Sequence, residues 1–170
     1  MTFQIGEKVV YPNQGVGVIE NISTRYYGAR PEHFYLLRLS SSSLTVLVPF
    51  SHVQDVGLRK ITRNGEVSRV MTFLSSNGRW RRCDDWKNRF KENTEKMRGG
   101  GLLEVAEVLK GLLLQQVDKP LSFREKKMLD RARAMMVTEL ATSRDVTALE
   151  ATELLKKALG KSSLPLPEPL

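Results

Sequence analysis

The chain has 170 residues, enough for one domain or for two small ones. Hydrophobic residues make up 41% of it, which excludes a disordered chain, and its formal net charge of +8 favours polyanionic partners, nucleic acid above all. Cys83 is the only cysteine, which excludes an internal disulfide, and the two histidines have no zinc-ligand spacing.

Neither a membrane segment nor an enzyme signature is recognisable. The amino terminus lacks the apolar core of a signal peptide, and no apolar run approaches the roughly 20 residues that span a bilayer. The Gly-Lys-Ser run at 160–162 follows a predicted helix instead of preceding one, and the Gly-Val-Gly run at 15–17 lacks the third glycine of a dinucleotide site. We therefore expect a cytoplasmic protein that is not an enzyme, with no metal, no cofactor, no small-molecule substrate and no membrane contact.

The first sixty residues have the pattern of β-strands. Predicted strands cover residues 9–12, 15–22, 33–39, 44–49 and 56–61. Glycines at 15 and 17 stand where a barrel strand could bend or bulge, and the serines at 40–43 suit a hairpin turn. Five short strands in so few residues predict a small antiparallel barrel of SH3 or Tudor type over residues 1–62.

The rest of the chain has helical periodicity. Predicted helices cover residues 66–74, 84–98, 102–116, 123–140 and 148–160. Asp84 is the candidate N-cap of the second of these, and capping boxes at 122–125 and 147–150 open the last two. The sequence therefore predicts an α+β protein of two domains. The second is a compact all-α domain over 63–160, followed by a disordered, proline-containing tail over 161–170.

The segment 79–98 is strongly basic. Cations outnumber acids there, and two of the acids, Asp84 and Asp85, stand at the predicted helix start, where the helix dipole favours them whatever the partner. The body of the helix is therefore more cationic than its composition suggests, which favours contact with phosphates. The alternative is a solvated helix with internal ion pairs such as Glu92 with Lys96.

Trp86 stands at the head of this segment, and its pattern fits two interpretations. Phe90, Asn93 and Met97 follow at helical spacing, so the indole could begin a buried stripe. A residue in the first turn can instead project beyond the packed part of the helix, where a flat ring among cations stacks on bases or wedges between them. Trp80 has the same chemistry, and the charge pattern does not separate the two tryptophans.

A second basic cluster opens the helix predicted over 123–140. Its cations are Arg124, Lys126, Lys127, Arg131 and Arg133. We expect the buried face of this helix to include Phe123, Met128, Ala132 and Met135. The dipole disfavours lysines near a helix start, which points to an external anion at Lys126 and Lys127. Ordinary solvated lysines are the alternative.

Several separated runs resemble one known family in the right order. They include GEKVVYP at 6–12, the strand at 44–49, WKNRFK at 86–91, VAEVL at 105–109, and LS at 121–122 with EKKML at 125–129. In these runs the chain resembles the CarD family of bacterial RNA polymerase-binding regulators. The resemblance extends from Phe3 to about Leu159.

The resemblance implies a Tudor-like domain that binds the RNA polymerase β subunit and a helical domain that binds promoter DNA. In that family a tryptophan at the position of Trp86 wedges into the minor groove at the upstream edge of the transcription bubble, which favours Trp86 over Trp80. The DNA-binding residues so implied are Trp86, Lys87, Arg89, Lys91 and Lys126. The implied polymerase-binding residues are Arg25, Leu37, Val46, Leu47 and Pro49.

Two positions depart from the family pattern. Asn88 stands where the family usually has a basic residue, and Leu47 occupies a site that is arginine in some members and apolar in others. The implied function is a transcription regulator that stabilises the open promoter complex. It would bind DNA largely independently of sequence and associate with the nucleoid through polymerase. The alternative is a protein–protein interaction adaptor without direct DNA contact, with Trp86 buried.

Overall fold

The computed structural model describes residues 2–40, 42–76 and 86–169. The chain divides into two compact units, Met1–Ile61 and Thr62–Leu170. Across the described ranges, every helix is too short or too polar to cross a membrane.

The first unit is an antiparallel sheet of five strands. They are β1 (Lys8–Tyr11), β2 (Gly15–Tyr27), β3 (Arg30–Leu39), β4 (Thr45–Pro49) and β5 (Arg59–Lys60). Their order in the sheet is β4-β3-β2-β1-β5, which places β4 and β5 at opposite edges. The predicted antiparallel strands are thus present, but in the described residues the sheet is not a closed barrel.

The core of this unit lies on one face of the sheet. Its buried side chains are Phe3, Val9, Ile19, Tyr35, Leu37, Leu39, Val48, Val53 and Leu58. The Tyr35 hydroxyl accepts a hydrogen bond from the backbone N–H of Phe3 at 3.0 Å, which ties the amino-terminal segment to β3. At Gly17 a Cβ atom would lie 2.8 Å from the Arg38 carbonyl oxygen, so the close approach of β2 to β3 requires glycine there.

The hairpin of β2 and β3 is longer than the sequence predicts. β2 continues past residue 22 to Tyr27, which pairs with Arg30 across the turn at Gly28 and Ala29. Gly28 adopts a φ of 65°, which glycine tolerates at no steric cost. Most of the added residues are exposed and none is fully buried, so their strand character comes from cross-strand pairing and they show no alternating hydrophobic pattern.

The strand predicted over 56–61 is wrong at its beginning. Val56 ends a short helix, α1 (Val53–Val56), and Gly57 follows in the left-handed region with a φ of 80°. Only Arg59 and Lys60 pair with β1. The apolar residues of this segment reach the core from a helical turn. A short apolar run in the sequence is compatible with such a turn and with a strand alike.

The second unit contains five helices in the described residues. They are α2 (Asn64–Ser75), α3 (Trp86–Gly99), α4 (Leu102–Asp118), α5 (Phe123–Arg144) and α6 (Ala148–Lys161). The Ser122 hydroxyl accepts from the Glu125 N–H at 3.3 Å, and the Thr147 hydroxyl accepts from the Glu150 N–H at 3.1 Å. The predicted capping residues of α5 and α6 therefore start these helices. The predicted N-cap Asp84 lies outside the described residues.

The segment predicted as a disordered tail over 161–170 makes contacts with the helical core in its described residues. Lys161 is the last residue of α6, and Leu164 is buried in the helical core. The Arg133 guanidinium donates a 2.6 Å hydrogen bond to the Pro167 carbonyl oxygen. Prolines remove N–H donors, but they do not prevent an extended segment from burying leucines. The number of prolines in a segment therefore does not by itself predict disorder.

The start of the second unit is held to α5 by side-chain hydrogen bonds. The backbone N–H of Thr62 donates to Glu139 Oε2 at 2.9 Å, and the Thr62 hydroxyl donates to the same oxygen. The Ser143 hydroxyl donates to the Thr62 carbonyl at 2.7 Å. Since β5 ends at Lys60, Ile61 alone separates the sheet from a residue that α5 holds.

The end of α2 is held by a buried lysine. The Lys110 side chain is 3% exposed, and its ammonium donates to the carbonyl oxygens of Phe73 and Ser76, both at 2.7 Å. Burial lowers the pKa of Lys110. The amine satisfies carbonyls that the end of a helix leaves without partners, so it holds the end of α2 and Ser76 in place.

Lys110→Met should lower the free energy of unfolding of the helical unit by about 1–3 kcal/mol, because the two carbonyls lose their donor while the aliphatic volume is kept. Denaturant unfolding followed by far-ultraviolet circular dichroism measures this. Lys156→Met, on the exposed face of α6, is the matched control and should change little. Equal stability of the two variants would contradict a stabilising role for Lys110.

Candidate functional site

α3 has one buried and one exposed face. Met97 is buried and Phe90 and Asn93 are half-buried, whereas Lys87 and Lys91 are exposed. The stripe predicted to follow Trp86 therefore faces the core, and two predicted DNA-binding lysines face solvent.

Trp86 is the first residue of α3, and its side chain lies outside the described residues. Trp80, the rival candidate, also lies outside them. What is described of Trp86 is therefore its backbone position at the start of α3.

The first turn of α5 packs beside the first turns of α3. Arg89 Nη2 lies 3.6 Å from Glu125 Oε2, and the Arg124 guanidinium lies over the Phe90 ring at 4.1 Å from its centroid. All of α4 separates these two segments in sequence. The fold therefore unites the two basic clusters, a proximity that no local sequence pattern predicts.

Glu125 is the centre of this junction. Gln115 on α4 donates to its Oε2 at 2.8 Å, and the Ser122 hydroxyl donates to its Oε1 at 3.0 Å. Burial alone would raise the pKa of Glu125. The hydrogen bonds from Gln115 and Ser122 and the charge of Arg89 outweigh it and lower the pKa below its ordinary value. The carboxylate thus stays ionised and holds α3, α4 and the start of α5 together.

Arg89 has a different environment from the other predicted DNA-binding cations. Its side chain is 24% exposed and contacts Glu125, whereas Lys87, Lys91 and Lys126 are exposed. Arg89 therefore contributes to the junction as well as to the local positive charge. Asn88, the departure from the family pattern, is exposed too.

Phe123 corrects the predicted buried face of α5. It is 65% exposed, whereas Leu121, two residues earlier, is buried. As the first residue of α5, Phe123 precedes the first complete turn, and Leu121 fills the core in its place. The Lys127 ammonium lies 4.7 Å from the centroid of the Phe123 ring. Helical periodicity extended to the first residue missed this exposure.

The predicted polymerase-binding residues are concentrated near β4. Leu47 is 37% exposed, Val46 and Pro49 are half-buried, and Arg25 on β2 is exposed with its guanidinium 5.8 Å from the Phe34 ring centroid. Leu37 has no exposed surface and lies in the core of the sheet. In the described chain Leu37 therefore supports the sheet from within, and its role in polymerase binding stays a prediction.

β4 is an edge strand. In the described part of the chain it pairs with β3 alone, with Leu47 opposite Leu36 and Pro49 opposite Phe34. One row of its backbone groups faces away from the sheet, and such a row can pair with a strand of another protein. Pro49 ends the strand without an N–H donor. Next to it, Phe50 stacks on Tyr35 with a centroid distance of 4.2 Å.

No metal site is evident in the residues that the structure describes, since none of their His, Cys, Asp and Glu side chains form a group of three that could hold an ion.

Glu125→Gln should lower the free energy of unfolding by about 1 kcal/mol at neutral pH, since the neutral amide is a weaker acceptor at the cap. The folded pKa of Glu125 lies below the unfolded one, so the ionised group stabilises the folded chain above the unfolded pKa. This stabilisation is lost as pH falls through the folded value. The difference from the wild type should therefore vanish in acid, as measured by denaturant unfolding across pH.

Glu150→Gln is the matched control for this series, since Glu150 holds the same helical position in α6 but is exposed. A difference at Glu125 that persists unchanged in acid would contradict an ionic role.

Two family models match the chain. The CarD-like/TRCF RID domain matches residues 3–62, and the CarD C-terminal domain matches residues 69–156. A relative from Bacillus subtilis (strain 168), named "Putative transcription factor YdeB", is 34% identical over 145 residues, which are 85% of this chain and 94% of that protein. A solved structure, "CdnLNt from Myxoccoccus xanthus", is 36% identical over 36% of this chain and 86% of that chain, with a TM-score of 0.31.

The two family models fall on separate units of the chain, the first on the sheet and the second on the helices. The relative from Bacillus subtilis matches along nearly its whole length. Both observations lead to one conclusion: the chain belongs to the CarD family of RNA polymerase-interacting transcription factors.

Proposed function

We propose that the chain docks on the β subunit of RNA polymerase through its sheet and stabilises the open promoter complex through α3 and the start of α5. The observation that carries the proposal is the α3–α5 junction. The Arg89–Glu125 contact brings two basic clusters, distant in sequence, into one region of the helical unit. The family to which the chain belongs supports the polymerase as partner.

Docking is assigned to the β4 edge of a Tudor-like sheet. The exposed Leu47 offers an apolar contact, and the outward row of β4 backbone groups offers hydrogen bonds to an added strand. Arg25 adds an exposed cation on β2. Leu47 replaces the arginine of some family members, so contact at this position is apolar and depends little on salt.

The short connection between the two units makes weak DNA contacts sufficient. Ile61 alone lies between β5 and the anchored Thr62, so a docked sheet holds the helical unit close to the promoter. A short tether raises the effective concentration of a second binding site to roughly millimolar. Selectivity for promoters then comes from the polymerase, and the DNA sequence need hardly be read through base contacts.

The DNA contact combines phosphates and a wedge. Lys87, Lys91 and Lys126 are exposed and can neutralise phosphates, and the proposed wedge is Trp86 at the start of α3. Asn88 can donate a hydrogen bond to a phosphate but adds no charge. A preference for open over closed DNA of about 1.4 kcal/mol raises the open-to-closed ratio tenfold.

Trp86→Ala should shorten the lifetime of open promoter complexes by up to about tenfold while leaving polymerase binding intact, because the wedge favours only the open state. The measurement is the decay of open complexes after competitor challenge, with cognate polymerase. Trp80→Ala is the matched control and should leave the lifetime unchanged. An unchanged lifetime in folded Trp86→Ala, with polymerase bound, would favour the protein–protein adaptor.

Leu47→Glu should abolish polymerase binding without unfolding the sheet, because it places a charge on an exposed position of the edge strand. Titration of labelled protein with polymerase measures this. Ile5→Glu is the matched control, an equal change at a position 60% exposed outside β4, and it should bind normally. Retained binding by Leu47→Glu would place the docking face elsewhere.

A further inference from the structure

Phe123 is an exposed aromatic ring that the core does not use. It is 65% exposed at the first position of α5, while Leu121 and Leu129 on either side of it in sequence are buried. Its contact across one ring face is the Lys127 ammonium at 4.7 Å. Because so little of the ring is buried, Phe123 contributes little hydrophobic free energy to the stability of the folded chain.

The charge around Phe123 is positive. Arg124, Lys126 and Lys127 follow it directly, and all three are exposed. The acid of this turn, Glu125, points inward, with a side chain that is 14% exposed and contacts Arg89 and Gln115. The solvent side of the first turn of α5 therefore presents one aromatic ring among cations.

Leu149 provides a comparison within the same unit. It is 73% exposed in the first turn of α6, but its exposed neighbours along that helix include Glu150 and Glu153. The first turn of α6 therefore places an exposed apolar residue beside acids, and the first turn of α5 places one beside cations. The cations that surround Phe123 distinguish it as a contact for a polyanion.

We propose that Phe123 is a second aromatic contact for nucleic acid, which stacks on a base of single-stranded promoter DNA while Arg124, Lys126 and Lys127 bind the flanking phosphates. The inference rests on the proposed function and extends it from α3 to α5. A stacking ring requires an exposed base, so the partner is the melted strand and not the duplex. Lys127 has a flexible stem and can exchange the ring face for a phosphate.

The site adjoins the proposed wedge through contacts already described. Arg124 lies over Phe90 at 4.1 Å, and Glu125 contacts Arg89, so α3 and the start of α5 form one junction. One helix contributes Trp86 and the other Phe123, and each ring is followed by cations. Aromatic groups at the starts of these two helices could hold the open strand at separate bases.

The test compares a fluorescent fork with a single-stranded arm and a duplex of equal length, bound by the full chain at low salt and followed by anisotropy. Phe123→Ala should weaken fork binding roughly five- to tenfold and leave duplex binding unchanged. The slope of log affinity against log salt should stay the same, because no phosphate contact is lost. Lys126→Ala should instead reduce that slope by about one on both DNAs.

Two variants serve as controls. Phe123→Leu keeps apolar bulk without a ring and should lose fork affinity as Phe123→Ala does. Leu149→Ala removes the exposed side chain at the start of α6 and should bind like the wild type. Equal loss of fork and duplex binding in Phe123→Ala would overturn the stacking role and indicate a disturbed α5.

The outcomes also separate this inference from the proposed function. Unchanged fork affinity in Phe123→Ala, with weaker binding in Trp86→Ala and Lys126→Ala, would overturn the inference and leave the proposed function standing. Weaker binding in Phe123→Ala alone would support the stacking contact while removing Trp86 and Lys126 from the DNA interface. A wild-type chain without affinity for the fork would overturn both.

Discussion

The ionised carboxylate of Glu125 is the constraint on which the candidate DNA surface depends. It caps its own helix through Ser122, accepts from Gln115 on α4 and contacts Arg89 on α3. Together with the Arg124 guanidinium over the Phe90 ring, this carboxylate joins the two basic segments. A negative charge placed inward thus allows the neighbouring cations to face outward, where an anionic partner can reach them.

The two units divide the work of recognition between them. The sheet presents an edge strand, whose backbone can bind a protein segment with modest demands on side chains, as the tolerance for leucine at position 47 suggests. The helical unit presents exposed cations and the Phe123 ring, groups that in the proposed function would bind nucleic acid with little regard to sequence. In the proposed function neither half alone specifies a promoter, and their combination would confine a weak, general DNA contact to places where polymerase is already bound.

Local rules predicted the elements whose cause is local. The capping box of Ser122 and Glu125 started α5 as expected, because it consists of neighbouring residues. The errors arose where distant parts of the chain decide the outcome. Phe123 was predicted on the buried face of α5 and is exposed, because burial depends on tertiary packing. Tertiary packing likewise accounts for Val56, which lies in a helical turn, and for Leu164, which is buried in the core of the helical unit.

The attachment of Thr62 to α5 has a mechanical meaning. If polymerase holds the sheet and DNA pulls on the helices, the load passes through the backbone from Lys60 to Thr62 and then to Glu139 and Ser143. These hydrogen bonds lie along α5, the helix whose first turn carries the junction at Glu125. In the proposed function, a force on the start of the helical unit would therefore act on the hydrogen bonds that hold Thr62 to α5 and would have to break them before this segment could extend.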